Sequence, residues 1–309
     1  DVAGNESSCI DDTIVHDSVP PVAVLGTTPS SPTNDGSYSI DVQTDDGVDS
    51  YQYAVISNIG LCSAASYTTS WDDHSDDISG DLGGDGTWKL CVIGKDAAGN
   101  IQPTSNATEY VWFYDSAQPT AVVTTTSSDP TNDTLINITV TFSENVTGFV
   151  LGDATVVGGS VANFAGTNNT YSFELTPAAS GTITIDIPAG GANDISGNTN
   201  AAADQFTIVY DNVPPSDTSI TIAGGANYIN STTVTLGLAA TGASEVYLTN
   251  TPGCETGGTW ENYATNTSWE LAQSNSTATV YAKYRDALGN ESSCISDTII
   301  QDSVAPVAV

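Results

Sequence analysis

The sequence contains no methionine, two histidines and only four lysine or arginine residues, set against 37 aspartate or glutamate residues and a formal net charge of -33. So few cations exclude polyanionic partners, because nucleic-acid phosphates and anionic lipid headgroups are repelled by such a surface. A histidine-based reaction shared by every repeat is excluded too, since His16 becomes Gln301 where the sequence recurs. No Gly-x-Ser-x-Gly elbow, phosphate-cradling loop or Cys-x-x-Cys pair occurs, and the residues point to no enzyme. Apolar residues never run to the ~18 that a membrane-spanning helix needs, so no direct membrane insertion is expected in this segment. No charged-then-apolar leader is present, and any export signal or anchor is expected outside these residues.

What is present is recurrence. Residues 1–24 return as residues 286–309 with 18 of 24 positions identical, an offset of 285. A shorter period lies inside it: Asp-x-x-x-Pro connectors start at Asp17, Asp115, Asp211 and Asp302, spaced 98, 96 and 91 residues apart. Repeats of this length are domain-sized, and the chain reads as a cut from a longer repetitive polymer. The expected organisation is a terminal strand of a preceding repeat in residues 1–17, domains at 18–115, 116–211 and 212–302, and the start of another repeat at 303–309. The acidic surface works against compaction unless cations screen or bind it, which implies surroundings rich in salt or divalent ions.

Short alternating or β-branched runs separated by Gly, Asn, Asp, Ser and Thr clusters predict antiparallel all-β domains. In the middle unit the candidate strands are 121–126, 135–142, 154–157, 171–175, 182–187 and 205–210. Five cysteines fit a secreted protein if Cys62 pairs with Cys91 and Cys254 with Cys294, each inside one unit. Unpaired, they would be ordinary buried hydrophobes. Cys9 matches Cys294 at the 285-residue offset, so its partner is expected upstream.

The Asp-x-x-Gly-Asn loops at Asp1–Asn5, Asp96–Asn100, Asp194–Asn198 and Asp286–Asn290 and the Asp-x-x-x-Pro connectors recur in a fixed order, with the FSENVTGF segment at 142–149 between them in the middle unit. Together they resemble the bacterial immunoglobulin-like (Ig-like) tandem repeats of giant surface adhesins and extracellular fibres. The resemblance implies tandem β-sandwich domains in an elongated array, extracellular or on a cell surface, often stiffened by calcium. It implies a structural stalk; the alternatives are a self-assembling filament, sheath or surface-layer subunit, and a module binding glycans or a host protein. Partners would be neighbouring repeats of the same chain, or other copies of it in a fibre. The lone strand expected at Cys9–His16 could complete a neighbouring chain's sheet.

In such sandwiches the incoming linker, the loop after the second strand and the loop between the last two strands meet at one pole. That convergence predicts Asp115, Glu144, Asp194 and Asn198 together in the middle unit, and Asp211, Glu245, Asp286 and Asn290 in the last. The first offers Asp17, Asp45, Asp46 or Asp49, Asp96 and Asn100. Hard oxygen donors of this kind suit Ca²⁺; the same Asp, Asn and Gly residues also read as turn formers. Lys95 and Arg285 stand directly before two of the loop aspartates, whereas the middle unit has Asn193. The acidic run Asp72-Asp73-His74-Ser75-Asp76-Asp77 reads as a solvated loop, and Gly83–Gly86 as a tight hairpin turn. Trp71 and Trp269 read as matching core tryptophans of the first and last units.

Overall fold

The computed structural model describes residues 2–306 apart from Cys9, residues 44–46, Asn58 and His74. Expectations that involve Asp1, Cys9, Asp45, Asp46, His74 or residues 307–309 therefore lie outside the described residues.

Three separate hydrophobic cores follow one another along the chain, in residues 23–112, 121–210 and 220–299. The first domain contains β1 (Val24–Leu25), β2 (Ser37–Ile40), β3 (Val42–Gln43), β4 (Ser50–Ser57), β5 (Asp72–Asp73), β6 (Ile78–Asp81), β7 (Gly86–Lys95) and β8 (Thr108–Tyr114). Its β1-β3 and β2-β6 pairs face the sheet β5-β4-β7-β8. The middle domain contains β9 (Ala121–Thr125), β10 (Ile136–Phe142), β11 (Thr155–Val157), β12 (Gly159–Thr167), β13 (Thr170–Pro177), β14 (Gly181–Asp186) and β15 (Phe206–Tyr210). It packs the sheet β12-β13-β10-β9 on β11-β14-β15. The third contains β16 (Ser216–Ile222), β17 (Tyr228–Ile229), β18 (Thr233–Thr241), β19 (Glu245–Thr249), β20 (Trp260–Asn262), β21 (Asn266–Glu270), β22 (Ser276–Arg285) and β23 (Ile295–Gln301). There β16-β18-β21 packs on β17-β23-β22-β19-β20.

The strands form where side chains alternate between core and solvent. In β10, Ile136, Ile138, Val140 and Phe142 are buried while Asn137, Thr139 and Thr141 point away. In β22 the buried set is Ala278, Val280, Ala282 and Tyr284. Such one-sided burial fixes the register, because a slip of one residue would turn every apolar side chain outward.

The strand β12 escapes the sequence pattern. Its residues are glycine-rich and mostly exposed, and its ladder with β13 shifts register between Ala162 and Ala165, where Asn163 takes a φ of 54°. Gly83–Gly86 is not a hairpin turn: it carries the chain from β6 in one sheet to β7 in the other. Nor do Trp71 and Trp269 match. Trp71 directly precedes β5, which pairs with β4, and Trp260 lies in β20, which pairs with β19; Trp269 belongs to the opposite sheet, opposite Val234. The described residues of 10–16 form no strand, whereas their counterparts in β23 pair with β22.

Both disulfides are formed, Cys62 to Cys91 and Cys254 to Cys294, with Cα separations of 5.5 and 5.8 Å. Cys91 sits in β7 between Leu90 and Val92, which face the core, so it faces outward and ties the loop after β4 across the sheet. In both outer domains the tied loop returns as a short strand on the same sheet, β5 or β20. The middle domain has no such tie. At Gly158 (φ 92°), where a Cβ would meet Ile183 and Thr182 at 3.2 Å, its chain crosses instead to the other sheet as β12.

Candidate functional site at the domain junctions

Each junction is built around one linker aspartate. The carboxylates of Asp17, Asp115, Asp211 and Asp302 accept the backbone N–H two residues on, at 2.9–3.0 Å, an Asx turn that starts the next segment. The aspartate N–H points back: Asp115 donates to Thr33 O, Asp211 to Thr131 O and Asp302 to Ile229 O, at 2.9–3.0 Å. Its carbonyl points forward, accepting the side-chain amide of Asn100, Asn198 or Asn290 at 2.8–3.2 Å. One residue therefore joins the two domains through both its backbone polar groups.

The downstream partner is the Asp-x-x-Gly-Asn loop. Asp194 accepts the Asn198 N–H with Oδ1 and the Asn198 side-chain N–H with Oδ2, both at 2.8 Å. Asp96 with Asn100 and Asp286 with Asn290 repeat this pair of bonds. Gly99, Gly197 and Gly289 have φ of 88–96°, which the turn requires and a side chain would resist. The hydrogen bond from the Asn100 side chain, first among its donors, holds Asp96 below the usual carboxylate range.

A further contact pins the residue after three of the linker aspartates, Asp115, Asp211 and Asp302. Asp85 accepts the N–H and hydroxyl of Ser116 at 2.9 and 2.8 Å. Ser180 accepts the Asn212 N–H at 2.9 Å, and Asn275 accepts the Ser303 N–H at 2.9 Å and its hydroxyl at 3.0 Å. Asp85, Ser180 and Asn275 went unnoticed in the sequence because they are three different residues whose shared role is positional.

The junctions differ in their carboxylates. At the middle domain's N-terminal pole, oxygens of Asp115, Glu144 and Asp194 lie within 4.8 Å of one another, the one such acidic group among the described residues. Burial first, then the charges of Asp194 and Asp115, push Glu144 above the usual carboxylate range. Glu245 of the third domain goes elsewhere: it accepts Arg285 Nε at 2.6 Å, and Arg285 also lies 4.2 Å from the centre of the Trp260 ring. Glu245 stands directly opposite Arg285 in the β19–β22 ladder, four positions past the place corresponding to Glu144, and its carboxylate is taken by that cation. In the first domain Lys95 lies 4.7 Å over the Trp71 ring, and the Asp49 N–H donates to Lys95 O at 2.8 Å. Asp49, Asp17 and Asp96 form no group of three carboxylates among the described residues.

Within the acidic loop of the first domain, Asp72 and Asp73 form β5, Asp73 caps the Ser75 N–H at 2.9 Å and Asp77 accepts the Ser39 hydroxyl at 2.8 Å. Those side chains turn and tether the loop. Tyr51, whose hydroxyl donates to Asp76 O at 2.6 Å, is pushed up to about 12 by burial and by the nearby aspartates.

Residues 115–210, the middle domain, match the family described as bacterial Ig-like domain. No curated protein matches the sequence. Among solved structures, the Escherichia coli adhesin FdeC is 13% identical, covers 91% of this chain and 96% of its own, and has a TM-score of 0.39. The bacterial integrin-binding protein invasin is 13% identical, with coverage of 92% and 60% and a TM-score of 0.31. Titin domains A168–A170 are 10% identical, with coverage of 92% and 100% and a TM-score of 0.35.

Proposed function

We propose, with the middle domain a bacterial Ig-like domain, that this chain is a stalk segment of a large secreted or surface-displayed bacterial protein. Its task is mechanical: to hold domains in a stiff line and carry whatever lies beyond them away from the cell. The observation that carries this reading is the linker aspartate, whose N–H and C=O engage consecutive domains in the same way at Asp115 and Asp211. Joints that serve only to connect have no need of such repetition.

Calcium at the middle junction belongs to the same proposal. Asp115, Glu144 and Asp194 supply hard oxygen donors, and no Lys or Arg lies anywhere in residues 116–211 to offset them. The bonds already made by Asp115 and Asp194 leave lone pairs on both carboxylates, and Glu144 brings a third carboxylate oxygen within 4.8 Å, so the donor set fits a divalent cation. Bound there, the ion would replace mutual repulsion with attraction and lock the first domain to the second.

Small-angle X-ray scattering tests both parts. The expected result is a rod of three domain lengths in millimolar calcium that bends at one joint after chelation. A rod indifferent to chelator removes calcium from the proposal and leaves the hydrogen bonds as the source of stiffness; a chain flexible in both conditions overturns the stalk reading. Growth in length or cross-section with concentration favours the fibre reading.

A further inference from the structure

The pole where one domain meets the next carries a second asparagine, on the upstream side. Asn132 follows Thr131, whose carbonyl accepts the Asp211 N–H, and its side chain reaches across the joint. It donates to Leu288 O at 2.8 Å and to Asn290 Oδ1 at 3.3 Å, both in the next domain's Asp286–Asn290 loop. Asn34 holds the same place one domain earlier, following Thr33, which anchors Asp115. Its amide lies 3.4 Å from where a Cβ on Gly197 would stand, against the Asp194–Asn198 loop. The Asp211 joint is therefore gripped at two separated points, the linker carbonyl by Asn290 and the Asp286–Asn290 loop by Asn132, while at the Asp115 joint Asn34 only lies against the corresponding loop. A single contact leaves a hinge free to turn; two remove that freedom.

The third domain has the upstream half of this joint. Ile229 accepts the Asp302 N–H at 2.9 Å, as Thr33 and Thr131 accept theirs, and it pairs in parallel with Gln301 as Thr33 pairs with Tyr114 and Thr131 with Tyr210. The next residue is Asn230, exposed, and Asp302 already holds its Asx turn. The local sequence offers no hint of this, since Pro-Thr-Asn-Asp at 32–35 and 130–133 is replaced here by Tyr-Ile-Asn-Ser.

We infer that Asn230, beside the Asp302 turn, is a docking surface for one more Ig-like domain bearing an Asp-x-x-Gly-Asn loop at its N-terminal pole. The first domain of a second copy of this chain is such a partner, with Asp96–Asn100 as the loop received. The contact is neutral: asparagine amides on backbone carbonyls, which neither salt nor chelation abolishes. This inference rests on the stalk reading and deepens it by naming what recognises the next domain.

The test uses the chain and a tandem in which residues 18–309 follow residue 302, so that Asp302 stands where Asp17 does. Scattering from the single chain is compared for wild type, Asn132→Ala and Asn230→Ala; from the tandem, for wild type and Asn230→Ala. The expected result is loss of the single rod-like distance distribution for Asn132→Ala in the single chain and for Asn230→Ala in the tandem. Asn230→Ala leaves the single chain unchanged, and melting is unchanged throughout because these side chains stabilise no core. If Asn132→Ala bends the single chain while Asn230→Ala leaves the tandem straight, the third surface is not a docking site. If Asn132→Ala changes nothing, the two-point grip itself is overturned. Wild-type chains that are already flexible overturn the stalk reading instead.

Discussion

The first and third domains each carry a disulfide, two basic residues and at least two tryptophans, whereas residues 116–211 contain no cysteine, tryptophan, histidine, lysine or arginine. The outer domains tie the loop after the third-strand position across one sheet, and all four cations lie on the strands β7 and β22. Each cation is engaged there: Lys89 with Glu109, Lys95 with Trp71, Lys283 with Glu291 and Arg285 with Glu245. The middle domain instead widens its other sheet with β12 and packs Phe142, Phe149, Phe164 and Tyr171 ring against ring at 5.1–5.9 Å. The middle domain thus does without the cross-link that both outer sandwiches carry. The difference also places the unbalanced acidic group at the domain that has no cation of its own.

Reduction breaks this comparison most strongly. Closing loops of 29 and 40 residues is worth about 3.6 and 3.9 kcal/mol in the chain-entropy account. Calorimetry with reductant is expected to lower the melting of the outer domains and leave the middle transition in place; a uniform fall would mean that the domains do not melt independently. Calcium is expected to act the other way round, raising the middle transition alone. The gain is about 2.7 kcal/mol at a hundredfold excess over Kd. Glu144→Gln should abolish most of that response and raise the calcium-free melting, since it removes one of three mutually repelling carboxylates; a calcium response that survives the substitution would place the ion elsewhere.

The smallest effect sharpens the comparison through pH. The folded middle domain holds the Glu144 proton more tightly than the unfolded chain does, so without calcium its stability rises as pH falls from above the raised value into the ordinary carboxylate range. Asp96 acts oppositely. Its lowered folded value adds stability above the ordinary carboxylate range, and this is lost as pH falls through the lowered one. Melting followed from neutral to acid pH should therefore show the middle domain gaining stability first and the first domain losing it only at lower pH, and parallel curves would contradict both assignments.

Much of the fold was legible because alternation is a local signal: β10 ends where the sequence places it, at Phe142, and starts one residue late, at Ile136. The linker aspartates and the Asp-x-x-Gly-Asn loops were legible through recurrence. What escaped was relational. Trp71 matches Trp260 because both neighbour the same strand pairing, yet Cys62 stands nine residues before Trp71 and Cys254 six before Trp260, so spacing alone could not align them. Glu245 looked like Glu144 by order along the chain, and the side chain that claims it, Arg285, lies 40 residues away. Asn34 and Asn132 carried no signal of their own in the sequence, and only the position of the neighbouring domain shows what they face.

The linker aspartate has a last consequence for inheritance. The contacts described at a joint are made by the facing poles of two domains, and the hydrophobic cores between the poles take no part in them. A gene segment spanning one domain, or the 285-residue block, could be copied or deleted by recombination and leave every remaining joint intact. Length would then be a quantity that selection adjusts by copy number, without refitting a single interface.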